Sequence, residues 1–167
     1  MIRIYPLHEK KSLFPILAYW SYINWYQGRD VPFSYVLQEY RRRAESGSLP
    51  YSFVACMGDL PVGMVSVKFN DMLNRPDLSP WLSALYVAPE YRNTGIGELL
   101  ITTVIEDCVD NGIKRIFLFV DSRYMEKLTG FYKKRGWVYL DEEYDSDGNA
   151  TKIFFYETGL RRVHHSG

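Results

Sequence analysis

Apolar positions along the chain fall into two kinds of run. Short runs bounded by turn formers predict strands, and stripes spaced by three and four predict helices. Residues 2–5 (IRIY) alternate and stop at Pro6, which predicts a first strand. Residues 13–26 (LFPILAYWSYINWY) place Leu13, Ile16, Leu17, Trp20 and Ile23 at helical spacing, and Gly28-Arg29-Asp30 breaks the pattern. Residues 32–44 predict a second helix, with Ser34 as its cap and Val36, Leu37 and Tyr40 as its stripe. Residues 51–57 and 61–69 are strand-like and only the Gly58-Asp59 turn separates them, so they should pair antiparallel. Residues 70–80 (NDMLNRPDLSP) are rich in turn formers and long for a plain hairpin loop.

Residues 81–87 predict the next strand, and a helical pattern starts after Gly97. Leu99, Leu100, Thr103, Val104 and Cys108 form its stripe, widened by Ile101, Ile105 and Val109, and Asn111-Gly112 closes it. The run IKRIFLFV at 113–120 is almost continuously apolar and reads as a central, parallel strand. Residues 82–120 are therefore a β-α-β unit with a right-handed crossover. A helix over 124–135 ended by Gly136, a strand over 137–140, a polar turn over 142–149 and a last strand over 151–156 complete the chain. No repeat or linker interrupts it, which predicts a single α/β domain over 1–160. Residues 161–167 (RRVHHSG) are expected to be a frayed tail whose His164 and His165 bind no metal.

A length of 167 residues, 47% hydrophobic and 24% charged, suits one soluble domain with a sizeable core. Twenty basic and twenty acidic residues cancel, so no global charge points to nucleic acid or to an anionic membrane. Arg41-Arg42-Arg43 is then read as a solvated helix end favoured by the dipole. A neutral surface gives little protection from self-association, and a monomer or homodimer is expected. Cys56 and Cys108 lie in apolar patterns without zinc-finger spacing and read as small buried hydrophobes. The first residues lack the apolar core of a signal peptide and no run reaches membrane-spanning length, which gives a cytoplasmic expectation.

The chemistry concentrates in LSALYVAPEYRNTGIGELL, residues 82–100. Strand, glycine-bearing turn and helix is an arrangement that points backbone N–H groups at an anion. A dinucleotide fingerprint would need glycine at Leu100, and no Gly-Lys-Ser/Thr follows to make a P-loop. What remains is a diphosphate held by the amides of roughly Arg92 to Gly97, with Arg92 adding charge.

The segment YVAPEYRNTGIGELL resembles motif A of the GNAT acetyltransferases, whose core reads Arg/Gln-x-x-Gly-x-Gly/Ala; Arg92, Gly95 and Gly97 match it. Downstream, LTGFYKKRGW resembles motif B of that family at Phe131, Tyr132, Gly136 and Trp137. The resemblance implies a mixed sheet of about seven strands flanked by about four helices, with a β-bulged splay between the fourth and fifth strands. It implies acetyl-coenzyme A as cosubstrate, with the backbone of Leu85, Tyr86 and Val87 along the pantetheine arm. The diphosphate would lie on Arg92, Asn93, Thr94, Gly95, Ile96, Gly97 and Glu98. Tyr132 would serve the departing thiol, and a backbone N–H near Val87 the developing oxyanion. Asp121 stands where the family often has an asparagine on the cofactor arm, and Ser122 is its substitute.

Many relatives carry a glutamate in the strand before motif A, but 81–84 (WLSA) offers no carboxylate. Asp71, Asp77, Glu142 or a water chain are the candidates for the general base. Trp20, Trp25, Tyr26, Phe33 and Trp81 are candidates to line an acceptor cleft. The acceptor is expected to be a small cationic amine, or a protein amine as the lesser choice. A catalytically inactive acyl-CoA-binding or sensing module is the alternative.

Overall fold

The computed structural model describes residues 1–159, so the expected tail, with His164 and His165, lies outside the described residues. Among the described residues seven strands form a mixed sheet in the order β1-β2-β3-β4-β5-β7-β6. They are β1 Ile2–Pro6, β2 Tyr51–Met57, β3 Leu60–Lys68, β4 Trp81–Val87, β5 Arg115–Asp121, β6 Val138–Tyr144 and β7 Ala150–Glu157. Among the described residues four α-helices accompany them: α1 Phe14–Ser21, α2 Phe33–Glu45, α3 Ile96–Asp110 and α4 Met125–Lys133. The chain divides into two compact units, the first made of residues 1–67 and 84–103, the second of 68–83 and 104 onward.

In the first unit β1 pairs antiparallel with β2, and β2 with β3. Leu7, Leu17, Val36, Tyr40, Val54 and Met64 are the centre of its core, with Tyr86 and Ala84 packed against it. The helix expected over 13–26 is two elements: Pro15 sits in the first turn of α1, and after Ser21 the backbone widens into a π-helical turn, Tyr22–Tyr26. The cause is local. Asn24 Nδ2 donates to the Trp20 carbonyl at 2.7 Å and competes with the α-ladder, while Gln27 N reaches Tyr22 O. Ser34 is not the cap of α2; extended Pro32 occupies that position without any side-chain bond. Arg43 corrects the reading of the basic run: Arg41 and Arg42 are exposed, but Arg43 is only 6% exposed. It follows Val36 and Tyr40 along the inward stripe of α2, and helical spacing overrides charge there.

In the second unit β5 pairs antiparallel with β7, and β7 with β6. Trp81, Phe117 and Ile153 anchor its core with Met72 and Leu78 from the 70–80 excursion. The expected polar turn from Glu142 is in fact strand, since β6 continues to Tyr144 past a bulge between Tyr139 and Asp141. An edge strand tolerates acidic side chains because its backbone needs only one partner. The turn proper is tight: Asp145 Oδ1 accepts from the amides of Asp147 and Asn149.

β4 and β5 run parallel and share a single register pair, Trp81 opposite Phe117. Three residues on, Ala84 has φ 52° and breaks the regular extension of β4. A non-glycine residue there costs about 1 kcal/mol, and such strain concentrates at functional segments.

Candidate functional site

In the first unit β4 leads into the glycine turn, and the turn into α3. Ala88 N donates to Val62 O, which ties the end of β4 to β3. Gly63 on β3 explains how closely α3 can seat. A Cβ there would stand 3.0 Å from Tyr86 O, 3.3 Å from Leu100 Cδ1 and 3.5 Å from Ile96 Cγ2. Sequence reading missed Gly63, although a glycine inside a strand is itself a sign of close approach. Tyr86 turns its ring to Trp20, with centroids 5.1 Å apart, so Trp20 is a core residue and not a cleft-lining one.

The turn is left-handed at two positions, Asn93 with φ 63° and Gly95 with φ 88°. Arg92 Nε donates to the Val87 carbonyl at 2.9 Å, and Thr94 Oγ1 donates to Tyr91 O. Arg92 thus braces the loop as well as carrying charge, and the residue stays exposed. Among the described residues no acceptor is bonded to the amides of Asn93, Thr94 and Gly95. The amides of Ile96 and Gly97 add to these, because the first N–H groups of a helix lack intrahelical partners. A Cβ on Gly95 would meet nothing within 4 Å, and one on Gly97 only Val87 Cγ2 at 3.8 Å. No side chain fills the space beside either glycine. Exposed main-chain donors beside a helix start can hold an anion.

In the second unit α4 presents Phe131 and Tyr132. Tyr132 is 6% exposed and meets the rings of Phe131 and Trp137 edge-on at 5.2 and 5.8 Å. The helix ends on its carbonyl, which accepts from the amides of Arg135 and Trp137. Gly136 makes that end possible with φ 91°, and a Cβ there would press on the Tyr156 ring at 3.2 Å. Burial pushes the Tyr132 phenol up to about 12, with a small opposing pull from Arg135. Burial likewise pushes the Cys108 thiol up to about 12. Both groups hold their protons more tightly folded than unfolded. Their contribution to stability is therefore complete below pH 9 and disappears as pH rises toward 12. Denaturant titrations should show the midpoint falling between these limits, and Cys108→Ala should remove the part that begins near pH 9.

Asp121 sits at the end of β5. Burial pushes its carboxyl up, but hydrogen bonds from the Arg123 amide and guanidinium prevail and hold it below the ordinary range. Both of its oxygens already accept from Arg123. In the 70–80 excursion Asp77 accepts two bonds from Arg75, which lowers its carboxyl below the ordinary range. Arg75 Nη1 also reaches Asp141 Oδ2 on β6 at 2.9 Å, and Asn74 donates to Tyr144 O. Asp71 lies 3.3 Å from Lys68 Nζ. Glu142 is exposed on β6. Trp81 is fully buried and forms core, whereas Trp25 and Phe33 are exposed and Tyr26 half-buried.

Comparison with known proteins gives one consistent answer. The profile of the Acetyltransferase (GNAT) family matches residues 14–137. An aminoglycoside 6'-N-acetyltransferase solved with coenzyme A is similar in fold, with TM-score 0.71 and 14% identity over 95% of this chain and 97% of that one. So is a spermidine/spermine N-acetyltransferase from Vibrio cholerae, with TM-score 0.71 and 16% identity over 97% and 99%. A GNAT acetyltransferase from Streptococcus pneumoniae gives 0.67 and 16% over 94% and 99%. No curated protein sequence matches the chain.

Proposed function

This chain belongs to the GNAT acetyltransferase family, and on that premise we propose that it transfers an acetyl group from acetyl-coenzyme A to a primary amine by direct attack. The observation that carries the reading is the turn: left-handed Asn93 and Gly95, open space where a Gly95 side chain would stand, and the start of α3 beyond. Bound acetyl-coenzyme A supplies an acyl group activated as a thioester. The amides of Asn93, Thr94 and Gly95 and those opening α3, Ile96, Gly97 and Glu98, hold the diphosphate, and Arg92 adds a positive charge. Leu85, Tyr86 and Val87 offer backbone groups to the pantetheine arm, and a backbone N–H near Val87 serves the oxygen that gains charge during attack.

Tyr132 donates from its phenol oxygen to the departing sulfur. With its pKa near 12, complete proton transfer to a thiolate of ordinary basicity is uphill by about 5 kcal/mol. Tyr132 therefore shares its proton and does not lose it, which still stabilises the charge that develops on sulfur. An acceptor amine of pKa near 10 must be deprotonated first, at about 4 kcal/mol at pH 7. No carboxylate stands in 81–84, and Asp77 is held by Arg75. Asp71 faces Lys68. The amine proton leaves through water. Asp77→Asn should accordingly change kcat/KM by less than about threefold, and a loss near a hundredfold would make Asp77 the base.

The acceptor is a small cationic amine. Exposed Glu142 on β6 supports that choice through its negative charge. Thiol release from acetyl-coenzyme A, followed over a panel of polyamines, aminoglycosides and peptide amines, tests the proposal. Release with small polycations and not with peptides is expected. Coenzyme A binding without release for any amine would leave an acyl-CoA-binding module, the reading that the missing carboxylate in 81–84 favours.

A further inference from the structure

Away from the glycine turn and the Tyr132 rings, the first unit buries a cation without an anion. Arg43 is 6% exposed, and among the described residues no carboxylate lies within ion-pair distance of it. Its Nη1 donates to Ser66 Oγ at 3.1 Å. Ser66 in turn shares a 2.7 Å bond with Ser52, its cross-strand partner from β2. The guanidinium carbon stands 4.4 Å from the centre of the Tyr40 ring, one helical turn back on α2. Two polar atoms of this cluster remain buried and unbonded, Arg43 Nε and the Tyr40 hydroxyl. Both can donate. Buried charges are found paired or neutralised, since an uncompensated one is strongly unfavourable.

We propose that Arg43, Tyr40, Ser52 and Ser66 form an internal site for a small monovalent anion, with chloride as its occupant. The guanidinium supplies the charge that selects an anion over water, and Nε–H and the phenol O–H supply directed donors. Ser52 and Ser66 are 1% and 0% exposed, so the proposed occupant is a compact ion. Seated there, the ion ties α2 to β2 and β3 and makes the stability of the first unit depend on which anion is present.

The test is thermal unfolding in chloride and in gluconate at equal ionic strength, without coenzyme A, so that the glycine turn does not report. The wild-type protein should unfold about 3 °C or more higher in chloride. Arg43→Met should lose that difference, and Tyr40→Phe, which keeps the cation, should reduce it. Equal melting of the wild type in the two salts overturns the proposal, as does an undiminished difference in both variants. If neither variant folds, bromide-soaked crystals of the wild type decide. An anomalous peak beside Arg43 Nε supports the site, and none there overturns it.

Discussion

Gly95→Ala weakens coenzyme A binding by about a hundredfold or more while costing the fold only about 1 kcal/mol. The small cost to the fold follows from open space: a Cβ at Gly95 touches nothing, so the penalty is the left-handed backbone alone, φ 88°. For a chain of this length that lowers Tm by about 2–4 °C. The large loss of affinity follows from what the turn does. Relaxing φ at Gly95 swings the amides on either side of it and tips the start of α3, so several donors leave the diphosphate together. Gly97→Ala is the informative contrast. Its Cβ makes an ordinary 3.8 Å contact with Val87, the motif accepts alanine there, and a loss under about tenfold is expected, with a slight gain in helix propensity. Calorimetry on the three proteins separates the two residues.

Tyr132→Phe lowers the rate of thiol release by about a hundredfold or more and leaves coenzyme A affinity within about threefold. The ring packs edge-on between Phe131 and Trp137, and phenylalanine retains that packing, so the fold is unaffected. Only the hydroxyl goes. If kcat is unchanged in Tyr132→Phe, the residue is packing and the leaving sulfur is stabilised by something else. Because burial keeps the phenol protonated up to about pH 12, the wild-type rate should rise with pH as the amine deprotonates, with no downturn from Tyr132 at physiological pH.

How much of this was legible in the sequence depends on which physical signal each element carries. The glycine turn announces itself because φ 88° at Gly95 demands glycine and the flanking strand and helix have clean periodicities. Motif B is legible for the same reason: Gly136 is required by a left-handed helix end pressed on Tyr156. Arg43 was not legible, since charge argues for solvent and only the phase of the α2 stripe, fixed by Val36 and Tyr40, carries it inside. The extent of β6 was hidden because an edge strand needs no apolar alternation. The π-helical turn at 22–26 arises from one asparagine bonding a carbonyl four residues back, and periodicity does not register such an exchange. The carboxylates of the 70–80 excursion looked like bases in sequence. Their partners Lys68 and Arg75 are close along the chain, and only the fold shows that they are engaged.

The central claim is that main-chain N–H groups of the glycine turn clasp the diphosphate of coenzyme A. Amide NMR of the isotopically labelled protein, titrated with coenzyme A, tests it most directly. The account predicts that the Asn93, Thr94 and Gly95 amide resonances, with those of Ile96 and Gly97, move furthest downfield and saturate together. Saturable binding with these resonances unmoved, or no binding at millimolar coenzyme A, would contradict it.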